Sequence, residues 1–272
     1  MKTKSLFQQG VYSLDWVQAF YDQTGIWWGP GSEAPEEDLA RAESIRRLCG
    51  PGPKRVLELG AGAGHTAAAM AGRGHNVVAV ELSPVRARQA QELALVPRAG
   101  TFAVLEADFN TVELPGRFDV VCYWDGFGIG SDADHRRLLE RIAGCWLAPG
   151  GSVLMDVAST LWAARNAGTE QRLPPLPGVP DSVEMLRRFH FDPLHCRWID
   201  EWQPVAKPEK TLAQTVRCYT PTDFLLLLEG TGLSLHRIEV NGQALDFQGG
   251  RITTSGPLME AYSYLVQLKL RL

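Results

Sequence analysis

From Arg55 to Val157 short apolar runs alternate with stretches of helical texture, and that alternation restricts the chain to one class of fold. RVLELG, HNVVAVEL, TFAVLEA, RFDVVCYW and GSVLMDV are the apolar runs. Their near-continuous Val and Leu content suits strands buried on both faces of a parallel sheet. Between them lie HTAAAMAGR, SPVRARQAQELAL and DADHRRLLERIAGCW, which read as helices, with Ser83-Pro84 and Asp132 as helix starts. Strand and helix in turn over about 100 residues predict an open, doubly wound α/β sheet with right-handed crossovers.

The flanks have a different texture. Residues 1–35 are rich in aromatics (Tyr12, Trp16, Phe20, Tyr21, Trp27, Trp28) and end in the breaker run GPGSEAP. Glu36 to Cys49 follows with helical spacing, acids in its first turn and bases near its end, which complement the helix dipole. After Val157 the alternation stops. A Pro-rich stretch, RLPPLPGVP, leads into RRFHFDPLHCRWIDEWQPV and TLAQTVRCY, which read as exposed antiparallel strands. Thr220-Pro221 opens a further helix that ends at glycine, and SLHRIEV and AYSYLVQLKLRL read as two more strands. The expected organisation is an N-terminal flap over 1–35 and a main domain of 36–165 and 215–272. An inserted lid over 166–214 interrupts the main domain.

Chemistry concentrates where the first strand runs into Gly60-Ala61-Gly62-Ala63-Gly64 and then a helix. Glycine is required where the backbone takes positive φ, or where a ligand lies against the main chain without room for a Cβ. Such a loop marks a nucleotide-type ligand at the carboxyl edge of a parallel sheet. A dinucleotide fingerprint spaces its glycines G-x-G-x-x-G. Here the third glycine comes one position earlier, and Glu58 precedes the loop, where it favours a ligand with an ammonium group. Glu81 ends the second strand, placed to accept both hydroxyls of a ribose. Past the third strand, Asp108 is placed to accept an adenine amine and Phe109 to pack on its face. Amino acid, ribose and adenine are thus matched in order along one sheet edge.

These residues resemble the class I S-adenosylmethionine-dependent methyltransferase family, in its small-molecule type. Glu58 to Gly64 fits that family's acid-x-G-x-G-x-G pattern, Glu81 its ribose acid and Asp108 its adenine-site acid. Pro149-Gly150-Gly151 fits its turn before the fifth strand. The likeness covers residues 36–160, and more weakly the segment from Arg217-Cys218-Tyr219-Thr220 through the following helix to G-x-G-L. It implies a Rossmann-like, seven-stranded sheet of order 3-2-1-4-5-7-6 with the last strand antiparallel. It also implies S-adenosylmethionine as cofactor, converted to S-adenosylhomocysteine. The implied contacts are Glu58, Gly60, Ala61, Gly62, Gly64, Glu81, Leu82, Asp108 and Phe109, with Trp124 and Tyr21 beside them. One departure bears on substrate. Enzymes of the family that methylate nucleic-acid amines carry N/D-P-P-Y/F after the fourth strand, where this chain has Tyr123-Trp124-Asp125-Gly126-Phe127.

The expected function is therefore methyl transfer to an oxygen or nitrogen of a small-molecule acceptor. Asp125, His190 and Tyr219 are candidate catalytic residues, Asp125 either contacting the cofactor or acting as base, or simply a surface turn. Tyr219 and Arg217 either line an acceptor pocket or pack. Tyr21, Trp27 and Trp28 either cover the cofactor, an aromatic face near a sulfonium being worth about 0.5–2 kcal/mol, or pack on the sheet. His190, His195 and Cys196 lie close in sequence, but strand alternation would turn the two histidines to opposite faces, and no metal site is expected. With 27 basic and 31 acidic side chains the net charge is −4, so the chain has no basic excess for nucleic acid or an anionic membrane. Five scattered cysteines without a C-x-x-C pair, no leader-like start and no long apolar run predict reduced thiols and a cytoplasmic protein, monomeric or homodimeric. Two other functions use similar sequence features: a nicotinamide-dependent oxidoreductase, which the glycine spacing opposes, and a non-catalytic S-adenosylmethionine-binding protein.

Overall fold

The computed structural model describes residues 13–31, 35–247 and 256–271; Tyr12 and the middle of GPGSEAP lie outside them. Five parallel strands form where the apolar runs predict them: β1 (Arg55–Leu59), β2 (Asn76–Glu81), β3 (Thr101–Glu106), β4 (Phe118–Tyr123) and β5 (Leu147–Ala158). Alternate residues of one strand enter different cores. Val120 and Cys122 of β4 pack with Ala42 and Ile45 of α2 (Glu36–Cys49) and Met70 of α3 (His65–Gly72). Val121 and Tyr123 pack on the other side with Leu139 of α5 (Asp132–Arg141) and Phe224 of α7 (Pro221–Leu227). That period of two places helices on both faces and makes a three-layer domain.

The sheet runs β3-β2-β1-β4-β5-β12-β10-β11, where β10 is Leu233–Val240, β11 is Gln243–Ala244 and β12 is Ser263–Leu270. β12 lies antiparallel to both β5 and β10, as the order 3-2-1-4-5-7-6 requires. The count is eight rather than seven, because the chain after β10 folds back at once and two residues of β11 pair with its end. Pro149-Gly150-Gly151 does not precede β5 but interrupts it. Leu147 pairs with Phe118 and Ser152 with Val120, so the turn sits in a bulge.

Local chemistry sets the helix ends. Ser83 caps α4 (Pro84–Ala94), accepting from the Arg86 N–H at 3.2 Å. α5 starts at the expected Asp132, with Ser131 as its N-cap, closed into a capping box with Asp134. α5 also stops short of Trp146, passing into a wide turn over Ile142–Trp146; the Arg117 guanidinium donates to Gly144 O within it at 2.6 Å and to Leu147 O just after it at 2.7 Å.

The stretch after β5 begins with α6 (Thr160–Asn166) and forms a separate antiparallel sheet, β6-β7-β8-β9. Its strands are Glu170–Leu173, Met185–Asp192, Arg197–Pro204 and Leu212–Arg217. β7, β8 and β9 are half-buried rather than exposed, whereas β6 is mostly exposed. Met185 and Trp202 pack on α1 (Val17–Trp28), and Phe189 and Trp198 on α6. Arg197 is fully buried and fastens this sheet to the loop after β4, donating to Gly130 O at 2.8 Å, Gly128 O at 3.2 Å and Thr215. Within the aromatic N-terminal segment, Val17–Trp28 is a helix that no capping side chain starts. Packing between α4 and the second sheet holds it in place. Gly25 is the closest approach: a Cβ there would sit 3.1 Å from Arg86 and Val85 of α4.

Candidate functional site

A cavity of about 470 Å³ opens at the carboxyl ends of β1, β2, β3 and β4, the edge where doubly wound sheets bind ligands. The glycine loop forms its floor. Gly60, Gly62 and Gly64 take φ of +61°, +57° and +83°. Two of them serve packing: a Cβ at Gly64 would meet Phe102 at 2.7 Å and Ala90 at 2.9 Å, and one at Gly60 would meet Tyr123 at 3.2 Å. At Gly62 a Cβ would meet nothing within 4 Å. Its backbone is therefore the open, ligand-facing part of the loop.

Three carboxylates stand round this floor. Glu81 is turned across the loop by two backbone donors, Gly62 N at 2.7 Å to Oε2 and Ser83 N at 2.8 Å to Oε1. Each oxygen keeps a second lone pair for a ligand hydroxyl. Burial raises the Glu81 carboxyl above the usual range, offset by those N–H donors. Glu58 is buried and its Oε2 has no hydrogen-bond partner. Burial pushes its pKa up to about 8, with Arg41 pulling the other way. Asp108 follows β3, its Oδ1 held by Asn110 N at 2.8 Å and Asn110 Nδ2 at 2.9 Å. Ala61, Leu82, Phe109, Trp124 and Tyr21 complete the wall named from sequence, so all eleven of those side chains and loop residues line one cavity. The indole N–H groups of Trp124 and Trp28, both buried or nearly so, also lack partners there. Buried polar atoms left open in this way are what a bound polar ligand satisfies.

The candidates beyond the glycine loop separate. Asp125 lines the cavity at φ +55°, a left-handed conformation that Asp tolerates better than most residues. Tyr219 does not line it: its hydroxyl donates to Asp132 Oδ1 at 2.7 Å, lies 2.6 Å from His135 Nδ1, and burial raises its pKa. Arg217 stacks on the Tyr219 ring at 4.4 Å and also pairs with Asp132. This pair braces α5, so the acceptor-pocket reading of Tyr219 and Arg217 is corrected to packing. His190 is likewise remote, on β7 opposite Ile199 and away from the cavity. His195 lies in the β7–β8 turn rather than on a strand with His190, its Nδ1 2.6 Å from Asp192 Oδ2, so strand alternation does not relate the two. Among the described residues no group of three His, Cys, Asp or Glu side chains is arranged to hold a metal. Tyr21 and Trp28 face the cavity, whereas Trp27 is buried among Trp16, Phe20 and Trp202. The Tyr21 hydroxyl reaches the second sheet, donating to Gln214 Oε1 at 3.0 Å.

Several lining residues carried no signal in the sequence. Arg41, on α2, bonds Asp125 and Asp156 across the cavity edge. Asp38 meets Thr66, Arg86 lies 5.2 Å over the Trp28 ring, and His135 is neutral, held down to about 4 by burial. His135 has Nε2 donating to Ile129 O at 3.0 Å. On helices these residues read as dipole complements or surface charge, because nothing local ties them to the glycine loop.

Residues 56–151 match the sequence model of a methyltransferase domain. That segment is similar to methyltransferase domains and carries the glycine loop, Glu81 and Asp108 described above. A search of curated protein sequences finds no match. Among solved structures, the CcbJ methyltransferase from Streptomyces caelestis superposes with a TM-score of 0.69 at 19% identity, over 90% of this chain and 99% of that one. An S-adenosylmethionine-dependent methyltransferase from Clostridium acetobutylicum gives 0.64 at 13% identity, over 93% and 99%. The glycopeptide N-methyltransferase MtfA, complexed with sinefungin, gives 0.55 at 23% identity, over 86% and 94%. At these identities the superpositions establish the fold, and they extend it past the methyltransferase domain to the second sheet. Among the described residues no helix is long and apolar enough to cross a membrane, and the five cysteines are free.

Proposed function

We propose that this cavity binds S-adenosylmethionine and that the protein transfers its methyl group to an oxygen or nitrogen of a small-molecule acceptor. The observation that carries this reading is the order of acids on one sheet edge. Glu58 carries a buried, unpartnered oxygen near the end of β1, Glu81 at the end of β2 is oriented across the glycine loop, and Asp108 stands after β3. They fit the ammonium, ribose and adenine of that molecule in turn. The open main chain at Gly62 fits a group pressed against the loop. The bound cofactor supplies a methyl group on a sulfonium, already a strong electrophile.

The protein's part is then to position and to exclude water. Tyr21 and Trp28 of α1 close the cavity from the side of the second sheet. We assign 166–214 as a lid over the acceptor, 1–35 as the flap that joins lid to cofactor, and 36–165 with 215–272 as the cofactor-binding domain. The net charge of −4 and the cysteine pattern support a cytoplasmic enzyme acting on a small molecule rather than nucleic acid.

Calorimetric titration of the purified protein with S-adenosylmethionine and, separately, NADH tests the reading. Micromolar binding of the first alone, lost in Glu81→Ala, is expected. Preference for NADH, or binding unchanged in Glu81→Ala, would remove it. Formation of S-adenosylhomocysteine with an acceptor then separates an enzyme from a non-catalytic binder.

A further inference from the structure

Two arginines line the cavity at the carboxyl edge of the sheet, and they differ in what they touch. Arg41 bonds Asp125 and Asp156 and pairs with Glu37. Arg86 has no such partner. Among the described residues no carboxylate lies within ion-pair distance of its guanidinium and no oxygen accepts from it. What it touches is α1: its guanidinium carbon lies 5.2 Å from the centre of the Trp28 ring. Gly25 leaves it room, since a Cβ there would stand 3.1 Å from Arg86 Nε.

The isolation of Arg86 is built into the elements around it. It is the third residue of α4, placed by the Ser83 cap. Glu81, just before that helix, has its two oxygens turned to Gly62 N and Ser83 N. Asp22 of α1 accepts instead from Ser83 Oγ at 2.5 Å. The Tyr21 hydroxyl donates to Gln214 Oε1. Glu81 and Tyr21 attract the guanidinium from a distance, yet burial outweighs them and lowers its pKa. A half-buried cation with five N–H donors is thus left facing the cavity. The Trp28 indole N–H beside it is a further donor, buried and without an acceptor.

A cluster of donors without an acceptor calls for an oxyanion, and a guanidinium fork suits the two oxygens of a carboxylate or phosphate. The cofactor does not bring one to this place. Its amino-acid end belongs with Glu58, whose neighbouring cation is Arg41, whereas the carboxylate that acts on Arg86 is Glu81, on the ribose side. There the cofactor presents hydroxyls. Leu14, Val17 and Ile129 line the same space of about 470 Å³ and match no part of the cofactor, so the cavity reaches beyond it.

We propose that Arg86 and the Trp28 indole N–H form the anchor for an oxyanion group, a carboxylate or phosphate, carried by the acceptor substrate. The proposal rests on the assignment of this cavity to the cofactor and adds the substrate class. An oxyanion held on the fork has its lone pairs engaged, so it is the handle, and the methylated oxygen or nitrogen lies elsewhere on the acceptor. A neutral amide of the same shape offers one acceptor oxygen and no charge, and gains little from the guanidinium.

The test uses the full chain saturated with S-adenosylhomocysteine, that first binding being measured by calorimetry in the same samples. Phenylacetate, phenyl phosphate and the neutral phenylacetamide are then titrated in turn at constant ionic strength. At least one oxyanion should bind saturably and at least about tenfold more tightly than the amide. A carboxylate-bearing acceptor follows if phenylacetate is the tighter, a phosphate ester if phenyl phosphate is. Arg86→Gln should weaken the oxyanion at least about tenfold and by more than it weakens S-adenosylhomocysteine. Arg86→Lys, which keeps the charge without the fork, should fall between it and the wild type. Trp28→Phe, which keeps a ring under the guanidinium and removes the N–H, should weaken the oxyanion and leave the amide unchanged. If Arg86→Gln does not fold, the wild-type discrimination and the Trp28→Phe result decide. No saturable oxyanion binding, equal binding of the amide, or oxyanion affinity unchanged in folded Arg86→Gln would overturn the proposal with the cofactor assignment intact. An equal loss of S-adenosylhomocysteine and oxyanion in Arg86→Gln would also overturn it, because the guanidinium would then serve the cofactor. Failure of the wild type to bind S-adenosylhomocysteine would instead overturn the assignment beneath it, and the anchor with it.

Discussion

Replacing Glu58 by Gln should make the ligand-free protein more stable and the cofactor complex weaker. Glu58, next to last in β1, is a buried carboxyl with one oxygen unpartnered, and burial raises its pKa from the ordinary 4.5 to about 8. The folded state therefore keeps a proton that the unfolded state has lost between those values. Unfolding stability then falls as pH rises from 4.5 to about 8 and is level above it. The full difference, 8 − 4.5 = 3.5 pH units at about 1.4 kcal/mol each, is on the order of 5 kcal/mol. An amide does not titrate, but its unpaired donors cost about 1–3 kcal/mol in the same place. Glu58→Gln should thus be roughly 2–4 kcal/mol more stable than the wild type at pH 8.5 and equal or less stable at pH 4.5. Urea denaturation of both proteins at pH 4.5, 6.5 and 8.5 reads this directly. Calorimetry at pH 7 should show S-adenosylmethionine binding weakened at least tenfold in the variant. Parallel pH dependence in the two proteins, or a variant less stable at every pH, would refute an isolated buried carboxyl kept for a ligand.

Other expected outcomes follow from the same geometry. Gly64→Ala should destabilise by more than about 2 kcal/mol, since a left-handed φ is joined by a steric clash with Phe102 and Ala90. Gly62→Ala should cost about 1–2 kcal/mol, the backbone term alone, yet weaken cofactor binding more than its stability loss suggests; thermal melts with calorimetry separate the two. Arg197→Met should lose about 2–3 kcal/mol in urea denaturation, because the Gly130 carbonyl loses its buried donor and the Gly128 carbonyl keeps only the Arg217 N–H. Tyr219→Phe should lower stability by about 1 kcal/mol, removing the hydroxyl that donates to Asp132 Oδ1, and leave S-adenosylmethionine affinity within twofold.

The sequence by itself determined the part of the protein built from short-range order. Strands buried on both faces must be apolar throughout, so β1 to β5 announce themselves, and Glu58 to Gly64, Glu81 and Asp108 are legible because each sits at a strand's carboxyl end. α1 was not legible as a helix: it has no capping side chain, Gly25 lies within it, and its aromatics are shared with α4 and the second sheet. β11 and β6 are two and four residues long, too short to carry a period. Tyr219 looked like a pocket residue and proved to be a brace, because only the packing of α5 shows Asp132 and His135 at its hydroxyl. Tertiary structure alone brought Arg41 to Asp125 and Asp156 from 84 and 115 residues away, and set Tyr262 beside Trp198. Charge crowding and ring geometry are properties of distance in space. A single sequence holds no record of them until the sheet closes and the second sheet docks.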